Sequence, residues 1–419
     1  MEQIIKIEGK HKLNGVVHIN GAKNATVALI PALVLADEPV TLQGVPEISD
    51  VNALAEILSH LGVKVTIKDD EFTIDPTNMK NKEVPADLAS KLRASYYFMG
   101  SLLGKYKEVK MKMPGGCYLG PRPINLHIKG FEKLGAVDHK DYDGYHMVAE
   151  NLAGNTIYLD FASVGATINI ILAATKATGT TVIENAAKEP EIIDVCNLLN
   201  KMGASIKGAG TDEITIVGVD YLHSCVHEII PDRIEAGTYL IIAAAAGEKV
   251  TVENIIPQHL DSLISKLKEA GVNLDIGEDY ITVYESKELK AVDVSTQIYP
   301  GFATDLQQPF TTLLTQAEGV SRITDNIYPE RFKHCTELNK MGGKLSTGIG
   351  MAIVEAPTPL RGSTVSATDL RCGAALIVAG LIADGITEID NIYHIDRGYA
   401  NIDDNLKKLG ARIWREKKF

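Results

Sequence analysis

Leu260-Asp261-Ser262-Leu263-Ile264-Ser265-Lys266-Leu267-Lys268-Glu269-Ala270-Gly271 places apolar side chains at 260, 263, 264 and 267, three and four apart, and then stops at a glycine. That spacing puts the leucines and the isoleucine on one stripe of a helix whose other face meets water. Glycine ends such a helix because it adopts the left-handed backbone without a side-chain clash. Nine residues on, Tyr280-Ile281-Thr282-Val283-Tyr284 is rich in β-branched and aromatic residues and reads as a short strand.

The same pattern is written six times, at Leu61-Gly62, Leu134-Gly135, Met202-Gly203, Ala270-Gly271, Met341-Gly342 and Leu409-Gly410. The glycines are 73, 68, 68, 71 and 68 residues apart. After each comes alternation, as in Val63-Lys64-Val65-Thr66-Ile67, usually followed by a second strand such as Glu213-Ile214-Thr215-Ile216-Val217, which predicts a hairpin. Upstream of each amphipathic helix lies a second helical stretch, apolar on every side and rich in small residues, as at 25–36, 166–177, 237–246 and 373–383. A helix without a polar face must be buried all round.

Each repeat therefore reads as strand, buried helix, strand, half-exposed helix and hairpin. Six buried helices predict an α/β architecture with helices inside and sheets outside, in two domains of three repeats each. The first domain is expected over 23–230 and the second over 1–22 plus 231–419, with the boundary at Ile229-Ile230-Pro231-Asp232 and the first 22 residues pairing elsewhere. An open solenoid is the alternative; only six units with irregular hairpins favour closure.

The 419 residues suffice for two or three domains and for cores that need no disulfides. Apolar residues at 45% and charged residues at 23% exclude wholesale disorder. With 42 Lys and Arg against 54 Asp and Glu, the net charge of −12 has the wrong sign for coating nucleic acid or an anionic membrane, so any bound anion must be met by local cations. Cys117, Cys196, Cys225, Cys335 and Cys372 are odd in number and hold no Cys-x-x-Cys pair, which argues against a disulfide framework or a zinc site and for a reducing compartment. Neither a leader-like start nor an apolar run of membrane length is evident, and the chain is expected to be soluble and cytoplasmic, without membrane insertion.

Because the repeats are copies, chemistry should show as departures from the common pattern. At the mouth of each buried helix, 37 to 42 residues before the repeat glycine, stand Lys23, Arg93, Ser163, Arg233, Asp305 and Arg371. A cation there opposes the helix dipole unless an anion is to be bound; snorkelling or ion pairing is the plain alternative for any single one. Thirteen residues before the repeat glycine, two repeats have Pro190 and Pro329, whereas two others have Arg122 and Arg397. The turn around Arg122, Pro114-Gly115-Gly116-Cys117-Tyr118-Leu119-Gly120-Pro121-Arg122-Pro123, has the composition of a lid. Its Cys117 becomes a candidate reactive thiol beside that arginine, whereas Cys196 and Cys335 fall among apolar helix positions and read as packing. These cations around one thiol and one carboxylate suit a small polyanion, and the absence of a Walker-type loop disfavours an ATPase. The residues alone lead to a transferase or lyase acting on a phosphorylated carboxylate.

At these positions the sequence resembles the UDP-N-acetylglucosamine 1-carboxyvinyltransferase family of enolpyruvyl transferases over the whole chain. The resemblance is carried by Gly21-Ala22-Lys23-Asn24-Ala25, Leu92-Arg93-Ala94-Ser95, Pro114-Gly115-Gly116-Cys117, Gly120-Pro121-Arg122-Pro123, Ser163-Val164-Gly165-Ala166-Thr167 and Glu184-Asn185-Ala186-Ala187. It continues through Pro231-Asp232-Arg233-Ile234-Glu235, Thr304-Asp305, Ala367-Thr368-Asp369-Leu370-Arg371 and His394-Ile395-Asp396-Arg397-Gly398-Tyr399. The resemblance implies a two-domain inside-out α/β barrel and transfer of the enolpyruvyl group of phosphoenolpyruvate to the 3′-hydroxyl of UDP-N-acetylglucosamine, with release of phosphate. It implies no metal and no organic cofactor.

By the same resemblance Cys117 is the proton donor, forms a covalent adduct with phosphoenolpyruvate and is the thiol alkylated by fosfomycin. Lys23, Arg122 and Arg397 match phosphate ligands, Arg331 and Arg371 carboxylate ligands, and Asn24 lies beside them. Asp305 matches the residue that contacts the sugar hydroxyl and acts as its base; among cations it is expected to be ionised, a ready but weak base. Arg93, Arg122, Pro123, Ile124, Asn125, Leu126, Ser163, Val164, Gly165, Asp305 and Ile327 match the sugar-nucleotide region. Two departures bear on nucleotide contacts: Phe161-Ala162 stands where many members have Lys before Ser-Val-Gly, and Tyr328-Pro329-Glu330-Arg331-Phe332 replaces Glu-Asn-Arg-Phe. The competing readings are 5-enolpyruvylshikimate-3-phosphate synthase, which lacks the lid cysteine, and a non-catalytic paralogue that binds the sugar nucleotide.

Overall fold

The computed structural model describes residues 3–115 and 124–418. Its contacts divide the chain into two units, Gly21–Ile230 and Met1–Asn20 with Pro231–Phe419. Each unit is built as the repeats dictate.

In the unit containing Pro231–Phe419, the three buried helices Arg233–Ala246, Thr304–Leu314 and Leu370–Ile382 touch one another. Three four-stranded sheets surround this core. The amphipathic helices Asp261–Glu269, Lys333–Lys340 and Ile402–Lys408 follow in sequence, and each is succeeded by a positive-φ glycine, Gly271, Gly342 and Gly410. After the first two come the antiparallel hairpins Asn273–Ile276 with Tyr280–Tyr284 and Leu345–Gly348 with Met351–Ala356. In the last repeat the glycine is followed by the strand Arg412–Lys417. The N-terminal strand Gln3–Glu8 completes it, antiparallel with Ile7 opposite Ile413. Leu13–His18 pairs in parallel with Gly247–Glu253. The leading residues thus find their partners inside the unit formed by the end of the chain.

The unit Gly21–Ile230 repeats the plan with buried helices Lys23–Ala32, Tyr97–Tyr106 and Val164–Ala174, of which Tyr97–Tyr106 touches the other two. Its sheets have four, four and three strands among the described residues. Cys225–Glu228, the last strand of the unit, pairs in parallel with Val40–Gln43 of its first repeat and closes the circle.

One buried helix departs from the expected apolar make-up. Thr304–Leu314 carries Gln307, Gln308, Thr311 and Thr312, all fully buried. Burying such groups is tolerable only when they are hydrogen-bonded. Gln307 Nε2 donates to the carbonyl of Arg331 at 3.1 Å and Gln308 Nε2 to Asp369 at 3.2 Å. These two amides tie the helix to the turns that bear the charged residues described next.

Candidate functional site

Asp305 is the second residue of the helix Thr304–Leu314. Its Oδ1 accepts from Nη1 of Arg331 at 2.7 Å and its Oδ2 from Nη2 of Arg371 at 3.2 Å. The Arg331 and Arg371 side chains are only 4% and 2% exposed, whereas Asp305 retains 24%, so solvent reaches this triad from the carboxylate side. Burial works against both guanidinium charges, and nearby groups outweigh it: Asp305 and Asp369 for Arg331, Tyr399, Asp305 and Asp232 for Arg371. Both pKa values are raised. Arg331 Nε is buried with no hydrogen-bond partner among the described residues.

Arg331 is placed by a turn built on one buried carboxylate. Asp325 accepts from Thr296 Oγ1 and Thr304 Oγ1, both at 2.8 Å, and from the backbone N–H groups of Ile327 and Tyr328 at 3.0 and 2.8 Å. Ile327 therefore stands on the turn that delivers Arg331, and the departure at Tyr328-Pro329-Glu330 falls within the same turn. Pro329 and Glu330 are exposed, and the Arg331 guanidinium lies 5.7 Å from the Tyr328 ring centre. Arg371 is placed by a helix cap: Asp369 accepts from the N–H groups of Arg371 and Cys372 at 2.9 and 3.1 Å. Asp232 caps Arg233–Ala246 in the same way through Ile234 and Glu235.

The caps correct one line of sequence reasoning. At Arg233 and Arg371 the free N–H groups of the helix end are already met by an aspartate, so the cation there needs no bound anion to offset the dipole. Arg233 instead lies 5.2 Å from the ring centre of Tyr299, and Arg371 faces Asp305. Arg397 follows the short helix Tyr393–Asp396 and is half-buried. Burial, with the Arg397 charge as a lesser influence, lowers the pKa of His394.

In the unit Gly21–Ile230, Lys23 opens its buried helix with Nζ 3.4 Å from Oδ2 of the buried Asp50. Asn24 follows and is half-buried. Arg93 opens the 3₁₀ turn Arg93–Tyr96, its guanidinium 5.8 Å from the Tyr96 ring centre. Ser163 caps Val164–Ala174, its hydroxyl accepting from Ala166 N–H at 3.2 Å. Gly165 packs so tightly that a Cβ there would lie 2.7 Å from the Tyr96 hydroxyl and 3.0 Å from Cε1 of His127. Ile124 precedes the helix Asn125–Lys133, which carries Asn125, Leu126 and His127. Phe161 is exposed, at 52%.

Asn169 joins this cluster. Its Oδ1 accepts from Gly100 N–H at 2.9 Å, which fixes the amide, and its Nδ2 then donates to Nδ1 of His127 at 2.8 Å and to the Tyr96 carbonyl at 3.1 Å. His127 is thus an acceptor at Nδ1 and carries its proton on Nε2. Burial, helped by the Arg93 charge, pushes its pKa down to about 3, so the ring is neutral. The structure brings Arg93 and Gly165 to Tyr96 and His127; Ser163 and Val164 directly precede Gly165 in the chain, and the 124–126 segment directly precedes His127.

Cys117, Arg122 and Pro123 lie outside the described residues. Cys196 and Cys335 are buried, and burial pushes each thiol up to about 12, which agrees with a packing role. Among the described residues no group of three or more His, Cys, Asp or Glu is placed to hold a metal ion, and no helix is long and apolar enough to cross a membrane. Sequence reasoning missed the supporting polar groups Asp325, Asp369, Gln307, Asn169 and His127. Of these, only Asp369 had a readable signal, a helix-capping residue directly before an apolar run.

Residues 7–406 match the family described as EPSP synthase (3-phosphoshikimate 1-carboxyvinyltransferase). The chain is 58% identical over 417 residues to UDP-N-acetylglucosamine 1-carboxyvinyltransferase 2 of Bacillus cereus, covering 99% of this chain and 97% of the relative. The protein of the same description in Listeria monocytogenes is 56% identical over 409 residues, covering 98% and 97%. Among solved structures, the enolpyruvyl transferase NikO from Streptomyces tendae superposes with a TM-score of 0.90 at 26% identity over the full length of both chains. An EPSP synthase from Acinetobacter baumannii reaches 0.75 at 19% identity, again over both full chains, a likeness of fold.

Proposed function

Since the chain belongs to the UDP-N-acetylglucosamine 1-carboxyvinyltransferase family of enolpyruvyl transferases, we propose that it transfers the enolpyruvyl group of phosphoenolpyruvate to the 3′-hydroxyl of UDP-N-acetylglucosamine, the first committed step of peptidoglycan precursor synthesis. The observation that carries this reading is Asp305 held between Arg331 and Arg371. Two buried guanidiniums are suited to a substrate carboxylate, and the acid that they now bind is suited to take a proton from a hydroxyl.

The chemistry is addition followed by elimination. The sugar oxygen bonds to C2 of phosphoenolpyruvate as its proton passes to Asp305, while C3 takes a proton from the Cys117 thiol. The C2–O bond to phosphate then breaks as C3 returns a proton to the Cys117 thiolate, and the enolpyruvyl ether and phosphate are released. Arg331 and Arg371 would hold the carboxylate, and Lys23, Arg122 and Arg397, with Asn24 beside them, the phosphate, so that the anionic intermediate meets fixed positive charge. A substrate carboxylate that takes over the two arginines would also release both oxygens of Asp305 for the hydroxyl. Arg93, the 122–126 segment, Ser163, Val164, Gly165 and Ile327 would hold the sugar nucleotide. The reading needs no metal or organic cofactor. An odd number of cysteines without a Cys-x-x-Cys pair, four of them free among the described residues, suits a reducing compartment, and the proposed site of action is the cytoplasm.

Phosphate release from phosphoenolpyruvate with each acceptor tests the reading. Turnover is expected with UDP-N-acetylglucosamine and none with shikimate 3-phosphate; the reverse result would replace it with the shikimate reaction. Binding of the sugar nucleotide without turnover would establish a non-catalytic protein. Cys117→Ser is expected to abolish most turnover and leave sugar-nucleotide binding nearly unchanged by calorimetry, and fosfomycin is expected to inactivate the parent protein but not this variant.

A further inference from the structure

Arg371 is among the largest fully buried side chains of the chain, and only one end of its guanidinium meets Asp305. Tyr399 covers it from another direction. The guanidinium carbon is 5.3 Å from the ring centre. Tyr399 is 1% exposed, and its hydroxyl lies 2.8 Å from Oγ1 of Thr238, which sits inside the buried helix Arg233–Ala246. The Thr238 hydroxyl lies in turn 2.8 Å from the carbonyl of Ile234, to which it donates.

Counting protons gives this chain a direction. A hydroxyl has one proton, and that of Thr238 is committed to a carbonyl, which can only accept. The contact between the two hydroxyls therefore requires Tyr399 to donate and Thr238 to accept. Burial, the foremost influence on the phenol, raises its pKa, so the proton this scheme requires stays in place. A hydrogen bond to a buried helix thus pins the ring that lies against Arg371.

We propose that Tyr399 is a positioning residue for Arg371: its ring, pinned through the hydroxyl by Thr238, holds the guanidinium in the orientation that engages Asp305 and the carboxylate of phosphoenolpyruvate. The proposal rests on the reading of Arg371 given above. Losing the hydrogen bond that pins the ring leaves the arginine free to sample orientations in which it cannot bind.

The test uses the full chain and three variants, Tyr399→Phe, Thr238→Val and Thr238→Ser. Tyr399→Phe is expected to raise KM for phosphoenolpyruvate about tenfold or more, with KM for UDP-N-acetylglucosamine within about twofold of the parent. Thr238→Val should move KM for phosphoenolpyruvate in the same direction, and Thr238→Ser, which keeps the acceptor, should behave as the parent. An unchanged KM for phosphoenolpyruvate in Tyr399→Phe, equal changes in both KM values, or identical behaviour of the Ser and Val variants overturns the proposal in favour of plain packing. If the parent does not turn over this substrate pair, the functional reading fails first. The positioning role is then read from a crystal structure of Tyr399→Phe, where a guanidinium displaced from Asp305 supports it and one that keeps the 3.2 Å contact overturns it.

Discussion

Nη1 of Arg331 donates to Oδ1 of Asp305 at 2.7 Å, and the same nitrogen donates to the hydroxyl of Thr304 at 3.2 Å, so one buried arginine grips two successive residues at the mouth of a buried helix. Asp305 supplies the negative charge that both Arg331 and Arg371 share. Removing one partner from such a group leaves buried charge without compensation. Asp305→Ala is expected to lower stability by about 2 kcal/mol, scaled down from a fully buried pair because the carboxylate is partly solvated. It should also lower turnover by about 10²- to 10⁴-fold. Urea unfolding and the phosphate-release assay check the two parts, and an unchanged rate would remove Asp305 from the chemistry.

Glu235 lies in the same unit, and its carboxyl group accepts from Asn20 N–H at 2.9 Å and Asn20 Nδ2 at 3.0 Å. Burial, reinforced by the charge of Asp232, pushes its pKa from 4.5 up to about 8. A group with a raised native pKa holds its proton more tightly when folded. Its contribution to stability is therefore complete below about 4.5 and lost as the pH rises through about 8. Glu235→Gln, which has no proton to lose, should remove this component, so that unfolding free energies measured at pH 6, 7 and 8 fall less steeply than in the parent. Parallel slopes would show that Glu235 does not titrate in this window.

His127 and His334 act in the opposite sense. Burial, foremost in each case, pushes both pKa values from 6.5 down to about 3. Neutral in the folded protein, each contributes stability that is present above about 6.5 and lost as the pH falls towards 3. Proton uptake on unfolding near pH 5 should fall by about one for His334→Leu, equivalent to a slope smaller by about 1.4 kcal/mol per pH unit. An unaltered slope in the variant would mean that His334 is protonated in the native state.

Gly165 is hemmed in by Tyr96 and His127. The added methyl of Gly165→Ala cannot be accommodated without moving a neutral imidazole that Asn169 holds in place. A stability loss of about 1–3 kcal/mol is expected, with weaker binding of UDP-N-acetylglucosamine by calorimetry. A variant with parent-like melting temperature and affinity would show that the cluster yields at little cost.

Much of the architecture was legible because it rests on short-range regularities. The sixfold glycine spacing, the apolar stripes and the all-apolar helices announced three repeats per unit and buried helices inside sheets. Lys23, Arg93, Ser163, Asp305 and Arg371 were legible as departures from a repeated pattern at helix mouths. Asp325 and Asn169 were not. Each serves partners up to tens of residues away, and nothing in its immediate neighbourhood distinguishes it from an ordinary loop aspartate or a stray polar residue in an apolar helix. Tyr399 belonged to a recognisable motif, yet its role depends on a threonine 161 residues distant.

By itself, then, the amino-acid sequence determined the repeat, the type of each element and the residues that break the pattern, since periodicity and helix or strand preference act over a few residues. Only the tertiary structure decided that the strand Gln3–Glu8 completes the last repeat, and that Arg331 and Arg371, 26 and 66 residues beyond Asp305, converge on its two oxygens. The reason is physical: such convergence is set by how buried helices pack and by where their polar groups must find partners, and those constraints arise only once the chain has excluded water.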